Sequence, residues 1–130
     1  SGELRGQILT DNYALFTFPL SGEQEVPAVV TDASGRGYAL VNTDNFGLEL
    51  VAITQGVDDA TMAHIHAGDT GSNGSVLVGL ERAEDALNIW LSPADFTVSE
   101  NVFSLLITGG HYVNVHTPAN PSGELRGQIQ

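Results

Sequence analysis

Hydrophobic residues recur along this chain in short alternating runs separated by clusters of Gly, Asp, Asn and Ser, and no run keeps a helical spacing beyond about two turns. Residues 13–20, YALFTFPL, are aromatic-rich and close on Ser21-Gly22, which predicts a strand ending in a turn. Residues 23–30 carry Pro27, which cannot donate to a central ladder, so they are expected as an edge strand or an ordered loop. Strands are predicted over 37–42 and 48–54, joined by the turn residues Thr43-Asp-Asn-Phe-Gly47. Further strands are expected over 60–67, 76–80, 86–91, 102–108, 112–117 and 125–129, and the glycine-rich GDTGSNGS at 68–75 reads as an exposed loop. Ser92-Pro93 is the one sequence that suits a helix start. The expected core comprises Phe16, Phe18, Leu40, Leu50, Ile53, Ile65, Val78, Ile89, Leu106, Val113 and Val115, with Trp90 on the outer face by alternation with Ile89. Many short strands and under about a tenth of the chain in helix predict an antiparallel two-sheet β-sandwich.

One stretch occurs twice. Ser122-Gly-Glu-Leu-Arg-Gly-Gln-Ile129 is repeated letter for letter as Ser1 to Ile8. Residues 1–8 are therefore expected to be the closing strand of a preceding repeat or a linking strand, presenting Glu3, Leu4, Arg5 and Ile8, with the domain proper over residues 9–130. An ordered linking strand has to be held either along the edge of its own sheet or by strand addition to a neighbouring copy, and the second is the preferred expectation.

Composition narrows the partners. Sixteen acidic residues face four arginines and no lysine, a formal charge of -12, which argues against nucleic acid or anionic membranes and makes cations more natural company. There is no cysteine, hence no disulfide framework, and no run of about 18 apolar residues that would insert into a membrane. At 130 residues a single core is expected.

The histidines supply the candidate chemistry. In AHIHA, strand alternation places Ile65 on one face and His64 with His66 on the other; in YVNVHT it places Tyr112, Asn114 and His116 together. If those strands are neighbours, His64, His66 and His116 converge on one ion, the donor set of a zinc or copper site, with Asn114 and Tyr112 close behind. His111 falls on the opposite face unless a bulge brings it in as an extra ligand. The alternative is a polar sheet face whose imidazoles bond to loops without metal. No serine nucleophile or carboxylate acid/base pair is recognisable, so no catalytic residue is assigned. Glu124 and Arg126, two apart on one strand face, suit a structural ion pair or backbone-closing contacts at a sheet edge, and Arg126 could reach Glu25 instead.

Three segments, LSGEQEVPAVVTDASGRG (20–37), AHIHAGDTGSNGSVLVGL (63–80) and GGHYVNVHTPANPSGELRGQI (109–129), together resemble the CHRD, or chordin-type, domain, in that family's order. Pro27-Ala28 departs slightly from a family pattern that often has two prolines after Glu-Val. The resemblance implies a secreted, extracytoplasmic β-sandwich module, often repeated or appended to other domains. The His-Ile-His pair is also similar to the copper ligands of Cu/Zn superoxide dismutase, although that enzyme's disulfide is missing. The expectation is thus an all-β, Greek-key, superoxide-dismutase-like sandwich acting as a non-enzymatic interaction module of an extracellular assembly, associating with itself or with neighbouring repeats. The alternative is a copper- or zinc-binding protein with a possible redox role.

Overall fold

A computed structural model of the chain describes residues 7–10, in their backbone, and residues 12–130. Nine strands and one helix follow in the order β1 (Gln7–Thr10), β2 (Tyr13–Leu20), β3 (Ser34–Asn42), β4 (Leu48–Gln55), β5 (Met62–Ala67), β6 (Val76–Arg82), β7 (Ile89–Leu91), α1 (Glu100–Leu106), β8 (His111–His116) and β9 (Leu125–Gln128). All strand pairs are antiparallel, in the spatial order β1-β2-β3-β4-β7-β6-β5-β8-β9. The chain leaves β4, makes the meander β5-β6-β7 and returns to lie beside β4, which is a Greek-key connection. The fold is all-β as expected, with its two layers joined into one sheet. Pairing of β6 with β7 seals one side, and the Ser21–Arg126 bridge brings β9 against the end of β2 on the other, leaving a nearly closed barrel.

Alternation builds the interior. One face of β2 buries Ala14, Phe16, Phe18 and Leu20, and β4 adds Leu48, Leu50 and Ala52. Ile65 from β5 and Val113 and Val115 from β8 complete the opposite wall. Each large side chain so buried contributes roughly 1.5–3 kcal/mol. Strands β8 and β9 are buried along their whole length, because their second face lies under loops.

Several expected core positions are corrected. Leu40, Val78 and Ile89 are only half-buried and Ile53 is exposed, while Ala39, Val41, Ala52 and Trp90 are inside. Strand pairing gives the reason. Small residues stand opposite large ones, with Ala39 across from Phe16, Gly37 from Phe18 and Ala52 from Trp90. A Cβ at Gly37 would lie 2.2 Å from the Phe18 ring, so the bulky Tyr38 and Leu40 must take the outer face. Trp90 in turn carries the Arg82 guanidinium 4.6 Å above its ring.

The helix is also elsewhere. Residues 102–108, expected as a strand, belong mostly to α1, whose N-cap Ser99 accepts from the Val102 N–H at 3.2 Å and whose first turn carries Glu100. Phe103, Leu106 and Ile107 repeat at helical spacing and pack on the core, with Phe103 4.6 Å from Phe46. Ser92 opens no helix. Its hydroxyl accepts from the Leu50 N–H at 2.9 Å, and Asp95 sits in a left-handed turn at φ 57°.

The duplicated segment is described only from Gln7 onward; Glu3, Leu4 and Arg5 lie outside the described residues. Gln7 and Ile8 pair with Leu15 and Ala14 on β2, so this part runs along the edge of its own sheet.

Candidate metal centre

The polar face of β5 and β8 is where the histidines meet. β5 and β8 pair with His64 opposite Asn114, His66 opposite Tyr112 and Met62 opposite His116, so His116 sits diagonally across from His64. A bulge after Ile65 in the β5–β6 pairing does not disturb this register. One nitrogen from each of His64, His66 and His116 lies within 4.8 Å of the others. The His64 ring meets the other two edge-on, at centroid distances of 5.6 Å to His66 and 5.0 Å to His116.

Hydrogen bonds on the far side of two rings set their tautomers. His66 Nδ1 lies 3.0 Å from the Gly74 carbonyl oxygen and His116 Nδ1 lies 2.8 Å from that of Pro121. A carbonyl only accepts, so both Nδ1 atoms carry the proton and both Nε2 lone pairs face the cluster. His116 Nε2 then accepts from His64 Nδ1 at 3.1 Å. His66 Nε2 is buried and has no hydrogen-bond partner, a cost that an ion between the rings would relieve. Burial, joined by the neighbouring imidazoles, holds His64 below the usual histidine range; burial does the same for His66, against the bond to Gly74, which raises it. Neutral rings are what a metal requires.

Tyr112 and Asn114 lie beside the three histidines, on the same face of the sheet. Tyr112 stacks on His66 at 5.0 Å and 3°, accepts from the Gly74 N–H through its hydroxyl at 3.1 Å, and bears the Arg126 guanidinium 3.5 Å from its ring centroid. Asn114 donates to Glu25 Oε2 at 2.6 Å. His111 stays apart, buried with the core-facing residues of β8, its Nδ1 without a partner and its pKa lowered by burial.

Of the three groups expected to form ion pairs or backbone contacts, Arg126 makes a backbone contact and Glu124 is held by neutral donors. Glu124 accepts from Thr31, Thr117 and Asn120 at 2.6, 2.7 and 3.2 Å; burial raises its pKa, and these three bonds bring it below the usual carboxylate value. Arg126 donates to the Asp69 carbonyl at 2.9 Å and to Gln128 Oε1 at 3.0 Å. It acts on Glu25 through its charge, while the hydrogen bond to Glu25 comes from Asn114.

Some participants left no mark in the sequence reading. Gln128 donates to the carbonyls of Gly68 and Gly109 at 2.7 and 3.0 Å, fastening the loop over the site. Gly74 cannot be larger, since a Cβ there would lie 1.6 Å from the Ala67 oxygen. The glycines of GDTGSNGS were the available signal. Glu25, His66, Tyr112 and Asn114 also share the lining of one cleft, whose other wall holds Pro27 and Pro121.

Glu25 has an unusual titration. Burial raises its pKa to about 7, against the lowering effects of Arg126 and of the Asn114 bond. An unfolded carboxyl titrates near 4.5, so the folded chain holds this proton more tightly. Its contribution to stability is complete below that value and is lost as pH rises through about 7. Glu25→Gln is expected to gain about 2 kcal/mol on the wild type between pH 5 and pH 8. Urea unfolding at the two pH values checks this, and an unchanged difference would refute it.

A sequence model of the CHRD domain matches residues 16–129. Chordin from Xenopus laevis is 28% identical over 142 aligned residues, covering 98% of this chain and 15% of chordin. The chain thus spans about 15% of the length of that relative. No solved structure matches it. Among the described residues no helix is long and apolar enough to cross a membrane. With the family pattern running through nearly every strand, the chain belongs to the CHRD domain family.

Proposed function

We propose that this CHRD domain is a metal-binding module of an extracellular protein, holding one zinc or copper ion on His64, His66 and His116. The observation that carries the reading is the unpartnered, buried Nε2 of His66, aimed into a cluster in which His116 Nε2 also turns its lone pair inward. Three imidazoles suit zinc and copper alike and leave a coordination position for water or a partner's side chain. Tyr112, Gly74 and Pro121 are the supports that orient the ligand rings. To ligate through Nδ1, His64 would give up its hydrogen bond to His116 and carry its proton on Nε2 instead. Among the described residues no acid/base pair is engaged with the cluster, and the role proposed is binding.

Calorimetric titration of untagged protein with zinc and with copper tests this. One ion per chain is expected at pH 7.5. Binding should weaken as pH falls below about 6, where protons compete for the imidazoles, the lowered values of His64 and His66 delaying the loss. Absence of stoichiometric binding by either metal would overturn the proposal.

A second reading, favoured by the duplicated SGELRGQI, is that the module works through contacts with other copies or neighbouring repeats in an extracellular assembly. Family membership and similarity to part of chordin are compatible with such a role. The two readings are not exclusive, because the metal face and the outer edge of β2 are different surfaces.

A further inference from the structure

The second copy of the closing strand has a destination that the barrel itself defines. Residues 123–129 occupy a slot whose demands are specific at nearly every position. Leu125 and Ile129 are fully buried, and Arg126 and Gln128 are buried with hydrogen bonds to the loop around residues 68–69. Glu124 takes three hydroxyl and amide donors. Gly127 faces β2 so closely that a Cβ would lie 2.8 Å from the Pro19 oxygen and 2.9 Å from Leu20 and Phe18. Gly123 has φ 129°, and a Cβ there would fall 2.4 Å from the Asn114 amide and 2.7 Å from Glu25. Every one of these requirements is met, letter for letter, by Gly2-Glu3-Leu4-Arg5-Gly6-Gln7-Ile8.

Within one molecule the slot is filled. β9 meets β2 at Ser21, and β1 lies antiparallel along the same strand at Leu15 and Ala14. The slot that an SGELRGQI sequence fits is thus taken within the molecule by residues 122–129. The first copy of the sequence is therefore matched, letter for letter, to the closing slot of any other chain.

We propose that the β9 slot of one copy accepts Ser1–Ile8 of a second copy, so that chains link head to tail by strand exchange. This rests on the assembly reading and is independent of the metal. The exchange replaces each β9 contact with an identical one and gives up only the pairing of Gln7 and Ile8 with β2 at home, so its balance is set mainly by tethering. A chain's own β9 competes at an effective concentration on the order of millimolar. Linkage consequently emerges when that strand is disabled or when copies are crowded to a similar level. The contact is heterologous and need not close, which lets it propagate.

The test uses the full chain. Gly127→Val drives a side chain into Pro19 and disables the chain's own closing strand, leaving Ser1–Ile8 intact. Light scattering should then show a mass about twofold or more above the monomer. The double variant Gly6→Val with Gly127→Val should not assemble, having lost the donor as well. A folded, monomeric Gly127→Val protein, or oligomers that survive Gly6→Val, would overturn the proposal; in the latter case self-association stands and this interface does not. Should Gly127→Val fail to fold, uptake of a fluorescent Ser-Gly-Glu-Leu-Arg-Gly-Gln-Ile peptide by the wild-type chain decides the matter. Uptake should be slow, saturable and absent for the peptide with valine at its sixth position, and equal uptake or none of either peptide refutes strand exchange.

Discussion

Alanine at position 66 is expected to abolish stoichiometric zinc or copper binding while leaving the metal-free domain folded. The change removes one of three donors, a larger loss than the roughly 10–100-fold that follows disturbance of an outer partner, so affinity should fall by more than about a hundredfold. In the metal-free protein the same change deletes a buried acceptor that has no partner, and sacrifices stacking on Tyr112. These effects oppose each other, and the net change in stability should stay within about 1 kcal/mol. The readout is the difference between the two states. Saturating metal at about 100 times its dissociation constant should stabilise the wild type by about 2.7 kcal/mol and His66→Ala hardly at all. A variant that keeps the metal-induced shift in melting temperature would show that the cluster is not the site.

Arg126→Ala carries the other large effect, on stability. Arg126 is 1% exposed, and its guanidinium satisfies the Asp69 carbonyl and Gln128 while covering the face of Tyr112. Truncation strands those acceptors under the 68–75 loop, removes cation–π attraction and takes away the positive charge that moderates Glu25. A loss of about 3–5 kcal/mol is expected, as for breaking a buried charged contact by deleting one partner. Denaturant midpoints with an unchanged slope would report it. Because Tyr112 stacks on His66, metal affinity should fall too, by less than in His66→Ala. A change under about 1 kcal/mol would mean that Arg126 is not what fastens the loop.

How far the sequence foretold this site follows from the range of the forces involved. Alternation is a local rule, so the shared face of His64 and His66, and that of Tyr112, Asn114 and His116, could be read directly. That β5 and β8 lie side by side was a conditional step, and the pairing supplies it. The helix was missed because Val102, Phe103 and Ile107 favour strands, whereas the deciding features were the Ser99 cap and the core contacts of Phe103 and Leu106. The inward faces of β3 and β7 were misassigned where both faces are apolar, since the choice was made across strands by Phe16, Phe18 and Trp90. Glu25 lies 89 residues from Asn114, and no local pattern announces that bond or the elevated proton affinity that burial causes.

The central claim concerns what His64, His66 and His116 hold, and X-ray absorption at the zinc edge on protein loaded with one equivalent of zinc addresses it most directly. The account predicts a four-coordinate shell with three imidazole nitrogens at about 2.0–2.1 Å, and loss of that imidazole scattering in His66→Ala. A six-coordinate oxygen shell, or an imidazole signal untouched by the substitution, would contradict it.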